Sequence, residues 1–213
     1  MPEPAATGRS VRRVPALVLA VLLGAALLAG CGGGASGSTQ LHGATHAAYT
    51  VPATPLTDTE GKPYSLVRDT DKPLTLVFFG YSHCPDICQT VMSTLAVAMQ
   101  RLDAADRKDV DVVFITTDPK RDTPSALRSY LDRFDPSFIG LTGDIHTIAA
   151  IGKPLAVYVA EGQKLPTGGY DLNSHSTQVT GIDSHDRSTI LWDQRTSPAQ
   201  FADDIHTLLQ KSS

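Results

Sequence analysis

The chain has 213 residues, 41% hydrophobic and 19% charged, an ordinary globular composition with room for one substantial core, so a single domain is expected. Its net charge is −4; Arg9, Arg12, Arg13 and Glu3 give residues 1–30 a net of +2, which leaves −6 on the remainder. That acidic balance argues against a nucleic-acid partner.

Arg9, Arg12 and Arg13 precede an uncharged run over residues 14–30, and Leu28-Ala29-Gly30-Cys31 closes it with small residues ahead of a cysteine. This order resembles bacterial lipoprotein precursors, in which the cysteine is lipidated and becomes the new N-terminus. Residues 1–30 are therefore expected to be a signal peptide and Cys31 the lipidation site, with an uncleaved membrane anchor as the alternative. Either places the remainder at the cell membrane, facing the extracytoplasmic side. Residues 31–48, rich in Gly, Ala, Ser and Thr, have little to bury and read as a flexible tether with a reach on the order of 20 Å. His42 and His46 lie in it and are expected to be solvated, because a disordered pair must be ordered before it holds metal. The folded domain is expected over residues 49–213.

Leu74-Thr75-Leu76-Val77-Phe78-Phe79-Gly80 is an almost continuous apolar run stopped by glycine, the pattern of a buried central strand. Cys84 and Cys88 follow directly. Val91, Leu95, Met99 and Leu102 then recur at helical spacing, and Pro85 with Asp86 suits a helix start. Residues 110–116 form the next strand, so a crossover helix joins a parallel pair. Thr123-Pro124 reads as N-cap and first residue of a helix with Leu127, Tyr130, Leu131 and Phe134 on its apolar side. A short strand at 138–141, a helix at 144–151, a strand at 155–159 and a Gly-rich loop to residue 169 follow. Residues 175–182 and 188–192 flank a polar turn as a hairpin, and Ser197-Pro198 opens a last helix with Phe201, Ile205, Leu208 and Leu209 on one side. This order is that of an α/β thioredoxin-like fold, a central mixed sheet flanked by helices. Trp192, Phe78 and Phe79 are expected in its core.

A dithiol at a helix N-terminus has its thiolates favoured by the macrodipole and by free backbone N–H groups, which makes Cys84 and Cys88 nucleophiles or soft metal ligands. With Cys31 taken by lipid, they remain free to pair, to bind metal or to react. A structural disulfide is the plain alternative in an exported protein, although so short a loop constrains little unfolded-chain entropy.

The run Phe79-Gly80-Tyr81-Ser82-His83-Cys84-Pro85-Asp86-Ile87-Cys88 is similar to the Gly-Tyr/Phe-Thr-x-Cys-Pro-Asp-x-Cys signature of the Sco/SenC proteins, thioredoxin-like copper proteins required for synthesis of cytochrome c oxidase. Asp118-Pro119-Lys120-Arg121-Asp122-Thr123-Pro124 looks like that family's Asp-Pro-x-Arg-Asp-Thr-Pro segment. His175-Ser176, leading into a strand that ends Gly181-Ile182-Asp183, matches its metal-binding histidine in context. The resemblance covers residues 49–210 and departs at Gln89 and Ser174, where the family commonly has proline and aspartate.

The resemblance implies copper ligation by Cys84, Cys88 and His175. Thiolates suit Cu(I) and imidazole suits Cu(II), so the mixed set can hold both states in turn. It implies a monomeric, membrane-tethered metallochaperone rather than an enzyme, with the copper-bearing subunit of cytochrome c oxidase and other copper chaperones as partners. The other reading is a thiol–disulfide oxidoreductase that reduces the cysteines of the oxidase copper site, using Cys84 and Cys88 as a redox-active pair without His175. A peroxidase attacking hydroperoxide with one cysteine is disfavoured by the pairing. His83 is expected to point away from its neighbour Cys84. Asp118 and Asp122 read as helix-start caps and turn formers, or as residues that shape the electrostatics of the copper loop or dock a partner. His146, His185 and His206 are expected at the surface.

Overall fold

The computed structural model describes residues 40–70, 72–160 and 176–212. Their strands are β1 (Ala44–Thr50), β2 (Leu56–Asp58), β3 (Pro63–Tyr64), β4 (Leu74–Gly80), β5 (Val110–Thr116), β6 (Ile139–Thr142), β7 (Val179–Asp183) and β8 (Arg187–Trp192). The helices are α1 (Ile87–Arg101), α2 (Ala104–Lys108), α3 (Pro124–Leu131), α4 (Ile145–Gly152) and α5 (Pro198–Ser212). One mixed sheet results, in the order β1-β8-β7-β4-β5-β6-β2-β3. At its centre β4, β5 and β6 are parallel; on the other side of β4, β7 runs antiparallel to it and β8 antiparallel to β7. No helix among the described residues is long and apolar enough to cross a membrane.

Alternate residues of a strand face opposite sides, and here both sides are covered. Leu76 and Phe78 of β4, with Val112 and Phe114 of β5, pack against Met92 and Leu95 of α1, Leu127 and Leu131 of α3, and Phe201 and Ile205 of α5. Val77, Phe79, Val113 and Ile115 face the other way, onto Ile148 and Ile151 of α4 and onto Val51, Leu56 and Leu66. A parallel strand buried on both faces must be apolar throughout, which is why β4 reads as a continuous run rather than an alternation.

Register decides what meets at each end of the sheet. Gly80 lies opposite Thr116, so the carboxyl ends of β4 and β5 are side by side. Phe78 pairs with Val179, Val179 with Trp192, and Leu191 with Ala44. The start of β7, the end of β8 and the start of β1 therefore lie at the same end as the cysteine loop.

Three expectations change. The N-terminal part of the domain starts earlier than residue 49: β1 takes residues whose composition reads as tether and hydrogen-bonds them to β8. An edge strand is held by backbone bonds rather than by burial, and among its side chains only His46 and Tyr49 are half-buried, so hydropathy does not mark it. His42 and His46 are accordingly fixed rather than free. The His42 and Gly43 N–H groups donate to Asp204 at 2.9 and 2.8 Å, and the His46 ring stacks on Tyr49. Second, the strand expected at 155–159 is a 3-10 turn, Lys153–Leu155, followed by Ala156 at φ 56°, a left-handed residue that breaks extension; Val159 alone makes a bridge. Third, β7 starts at Val179 rather than at residue 175. The core expectation holds: Trp192, Phe78 and Phe79 are fully buried.

Candidate metal centre

The chain turns immediately after β4. Cys84 N–H donates to the Tyr81 carbonyl at 3.2 Å, and α1 starts after Asp86. Asp86 holds the N-cap position without a side-chain cap bond. A sulfur stands in for it: the first-turn N–H of Cys88 donates to Cys84 Sγ at 3.4 Å. That contact satisfies one of the orphan donors of a helix start and brings the two cysteines together. Both are free thiols, Cys84 4% exposed and Cys88 wholly buried. Gly80 makes the space: a Cβ there would lie 3.0 Å from Cys88 Sγ, 2.8 Å from Phe78 Cε1 and 3.1 Å from Phe114 Cε2.

Burial reverses the electrostatics that a helix N-terminus alone implies. It pushes the Cys88 thiol strongly up, more than the Tyr81 backbone N–H bonded to the sulfur lowers it; the nearby Cys84 and Asp122 add to the rise. Tyr81, whose hydroxyl bonds Cys84, is pushed up to about 12, first by burial and then by the two sulfurs. Tyr130 is pushed up as well, by burial and by Cys88, and its buried hydroxyl has no hydrogen-bond partner among the described residues. Cys88 is therefore held as a thiol, which surrenders its proton on binding a soft metal.

The segment after β5 braces this loop. Thr117 donates to the Gly80 carbonyl through its N–H, at 2.6 Å, and its hydroxyl, at 3.2 Å. Asp122, wholly buried, accepts from Ser82 N–H at 2.9 Å, from the Ser82 hydroxyl, and from the Thr116 hydroxyl at 2.7 Å. Asp118 pairs with Arg121. Thr123 caps α3 as expected, accepting from Ala126 N–H, and of the two roles read for Asp122 its contacts to Ser82 put it beside the cysteine loop. His83, half-exposed, has Nδ1 at 2.9 Å from the Ser82 hydroxyl and 3.6 Å from Asp122.

His175 and Cys31 lie outside the described residues. The chain resumes at Ser176, whose N–H donates to the Tyr158 carbonyl at 2.9 Å and whose hydroxyl accepts from Tyr158 N–H at 3.0 Å. Among the described residues no group of three His, Cys, Asp or Glu side chains could hold a metal ion. What they supply is the sulfur half of a ligand set: two soft donors, buried together above a side-chain-free floor, a fit to a soft monovalent metal. Sequence reading named Gly80 and Tyr81 only within the central strand and the cysteine signature and Tyr130 only on the apolar side of α3, without placing them against the thiols.

Residues 43–210 match the family model described as SCO1/SenC. Protein SenC of Rhodobacter capsulatus is 34% identical over 158 residues, 70% of this chain and 70% of that protein. Protein SCO2, mitochondrial, of Saccharomyces cerevisiae is 36% identical over 121 residues, 57% of this chain. The chain spans less than half the length of such mitochondrial relatives, 40% of that protein and 32% of Protein SCO1 homolog 1, mitochondrial, of Arabidopsis thaliana. The structure of Bradyrhizobium japonicum ScoI with copper bound superposes with TM-score 0.64 at 32% identity, covering 75% of this chain and 99% of that one. Yeast Sco1 with copper bound gives TM-score 0.68 at 25% identity, covering 76% and 89%.

Proposed function

Because the chain belongs to the SCO1/SenC family, we propose that it binds copper through Cys84, Cys88 and His175 and delivers it, from a lipid tether at Cys31, to the copper-bearing subunit of cytochrome c oxidase. The observation that carries this reading is the burial of both sulfurs in one loop at the carboxyl end of the central parallel strands, with β7 entering the sheet beside them. Two thiolates and one neutral imidazole leave one net negative charge around Cu(I) and none around Cu(II). A site of so little charge fits this apolar setting.

Transfer then proceeds by exchange of ligands with partner thiolates, and this chain's part is to present the sulfurs while keeping water out. The tether reading draws support from β1. The N-terminal segment enters the sheet at the cysteine-loop end, three strands away from β4.

His175→Ala is the test. Tight Cu(II) binding, read by absorption in the thiolate-to-copper charge-transfer region, is expected to be lost while the dithiol still exchanges disulfides. Oxidase activity in a deletion strain is expected to stay unrestored. Full restoration by this variant would sink copper delivery through the site and leave thiol–disulfide exchange by Cys84 and Cys88 as the function.

A further inference from the structure

We propose that Asp122 is a positioning residue, whose buried carboxylate holds the Cys84–Cys88 loop in its ligand-ready form through three hydrogen bonds. Two of the three come from Ser82, two residues before Cys84, through its N–H and its hydroxyl; the third comes from Thr116 at the end of β5. Asp122 therefore ties the cysteine loop to a core strand that the loop itself never joins. Its own backbone is fixed in turn, since Asp122 N–H donates to the Asp118 carbonyl at 2.9 Å and Asp118 N–H donates to the Thr116 hydroxyl at 2.9 Å.

A carboxylate suits the task because both of its oxygens accept, each from more than one direction; an amide of the same shape keeps one such oxygen, enough for Ser82 N–H and the Thr116 hydroxyl, which share an oxygen. Its burial is unfavourable unless every such bond is made. Its donors are an amide N–H and two hydroxyls, with the half-exposed His83 ring 3.6 Å away. So the carboxylate is held by the loop, and the loop by the carboxylate. Ordering a loop before its ligand arrives removes that ordering cost from the binding step. The inference concerns the loop in the metal-free protein, so it stands apart from the copper reading it serves.

The test is amide hydrogen exchange on the metal-free, full-length protein in detergent. Asp122→Ala is expected to speed exchange over residues 81–88 by about tenfold or more, the loss that follows when buried donors go unsatisfied, while the middles of β4 and β5 stay protected. Asp122→Asn, which keeps an acceptor for Ser82 and Thr116, restores most of that protection. Should the alanine variant not fold, Ser82→Ala removes one bond of the three and gives a smaller rise in the same segment. Unchanged loop exchange in these variants, a rise equal across the whole sheet, or an asparagine variant as loose as alanine would each overturn the proposal. Competition for Cu(I) against a chromophoric chelator adds a separate readout, with affinity expected to fall in the order wild type, asparagine, alanine. A wild type that binds no copper would defeat the function proposed above and leave the exchange result standing.

Discussion

Gly80 is the point at which the core touches the dithiol, and its missing side chain does two jobs. It ends β4, and it leaves Cys88 Sγ the space that a Cβ would take from it and from the rings of Phe78 and Phe114. Those rings belong to a packed core and cannot retreat as a surface side chain could. Gly80→Ala is therefore expected to destabilise the fold by about 1–3 kcal/mol through overpacking, lowering the melting midpoint by roughly 2–12 °C. A calorimetric scan on the metal-free protein checks it; a midpoint equal to the wild type's would mean that the rings do move. Cys84 and Cys88 were legible as the chemical centre because few side chains other than thiols are soft donors. Asp122 was not, because its main partner, Ser82, is 40 positions away in sequence and only folding brings the two together.

Among the elements, the helices and buried strands follow from local pattern. The bounds of β4 and β5 agree with their apolar runs, and Thr123 and Asp144 cap α3 and α4 as their sequences suggest. The short strands β2 and β3, at one end of the sheet order, carry no such pattern, having too few residues to show a period. The short helix α2 was also unexpected, and it meets α5 through His206 Nδ1 and Asp106 Oδ2 at 2.6 Å. His206 is raised above its usual value, first by the hydrogen bond to Asp106 and then by that carboxylate's charge, with Asp103 and Asp203 adding to it. A raised histidine contributes stability that is fully present below its unfolded value of about 6.5 and is lost as pH climbs through the folded one. His206→Gln is therefore expected to lower the melting midpoint at about pH 5.5 and to change it little at about pH 8.5. Equal losses at both pH values would show that the contact acts by packing and not by charge.

For the whole molecule, Asp204 secures the N-terminal segment. Its carboxylate accepts from His42 N–H, Gly43 N–H and Trp192 Nε1, so one buried group on α5 joins the start of β1 to the end of β8. The segment leading into β1 is thereby fastened to the end of the sheet that carries the cysteines. On the reading proposed above, Cys31→Ser releases the protein from the membrane fraction into the soluble extracytoplasmic fraction. The expected outcome is unchanged Cu(I) affinity in the purified protein with reduced oxidase activity in cells. A variant that still sediments with membranes would show that another segment anchors it.

The residue types at Cys84 and Cys88, the apolar runs of β4 and β5 and the helical spacing of α1 are local properties, so they could be read from the chain and led to the fold class and the family. Other features depend on contacts between distant segments. The early start at β1 rests on backbone bonds to β8, the rise of the Cys88 thiol rests first on burial, and the bracing of the loop rests on Asp122 reaching Ser82. Hydropathy and spacing register what a residue is and what lies within a few positions of it. Desolvation and long-range hydrogen bonds exist only once the sheet has closed around the site, so these features waited on the folded structure.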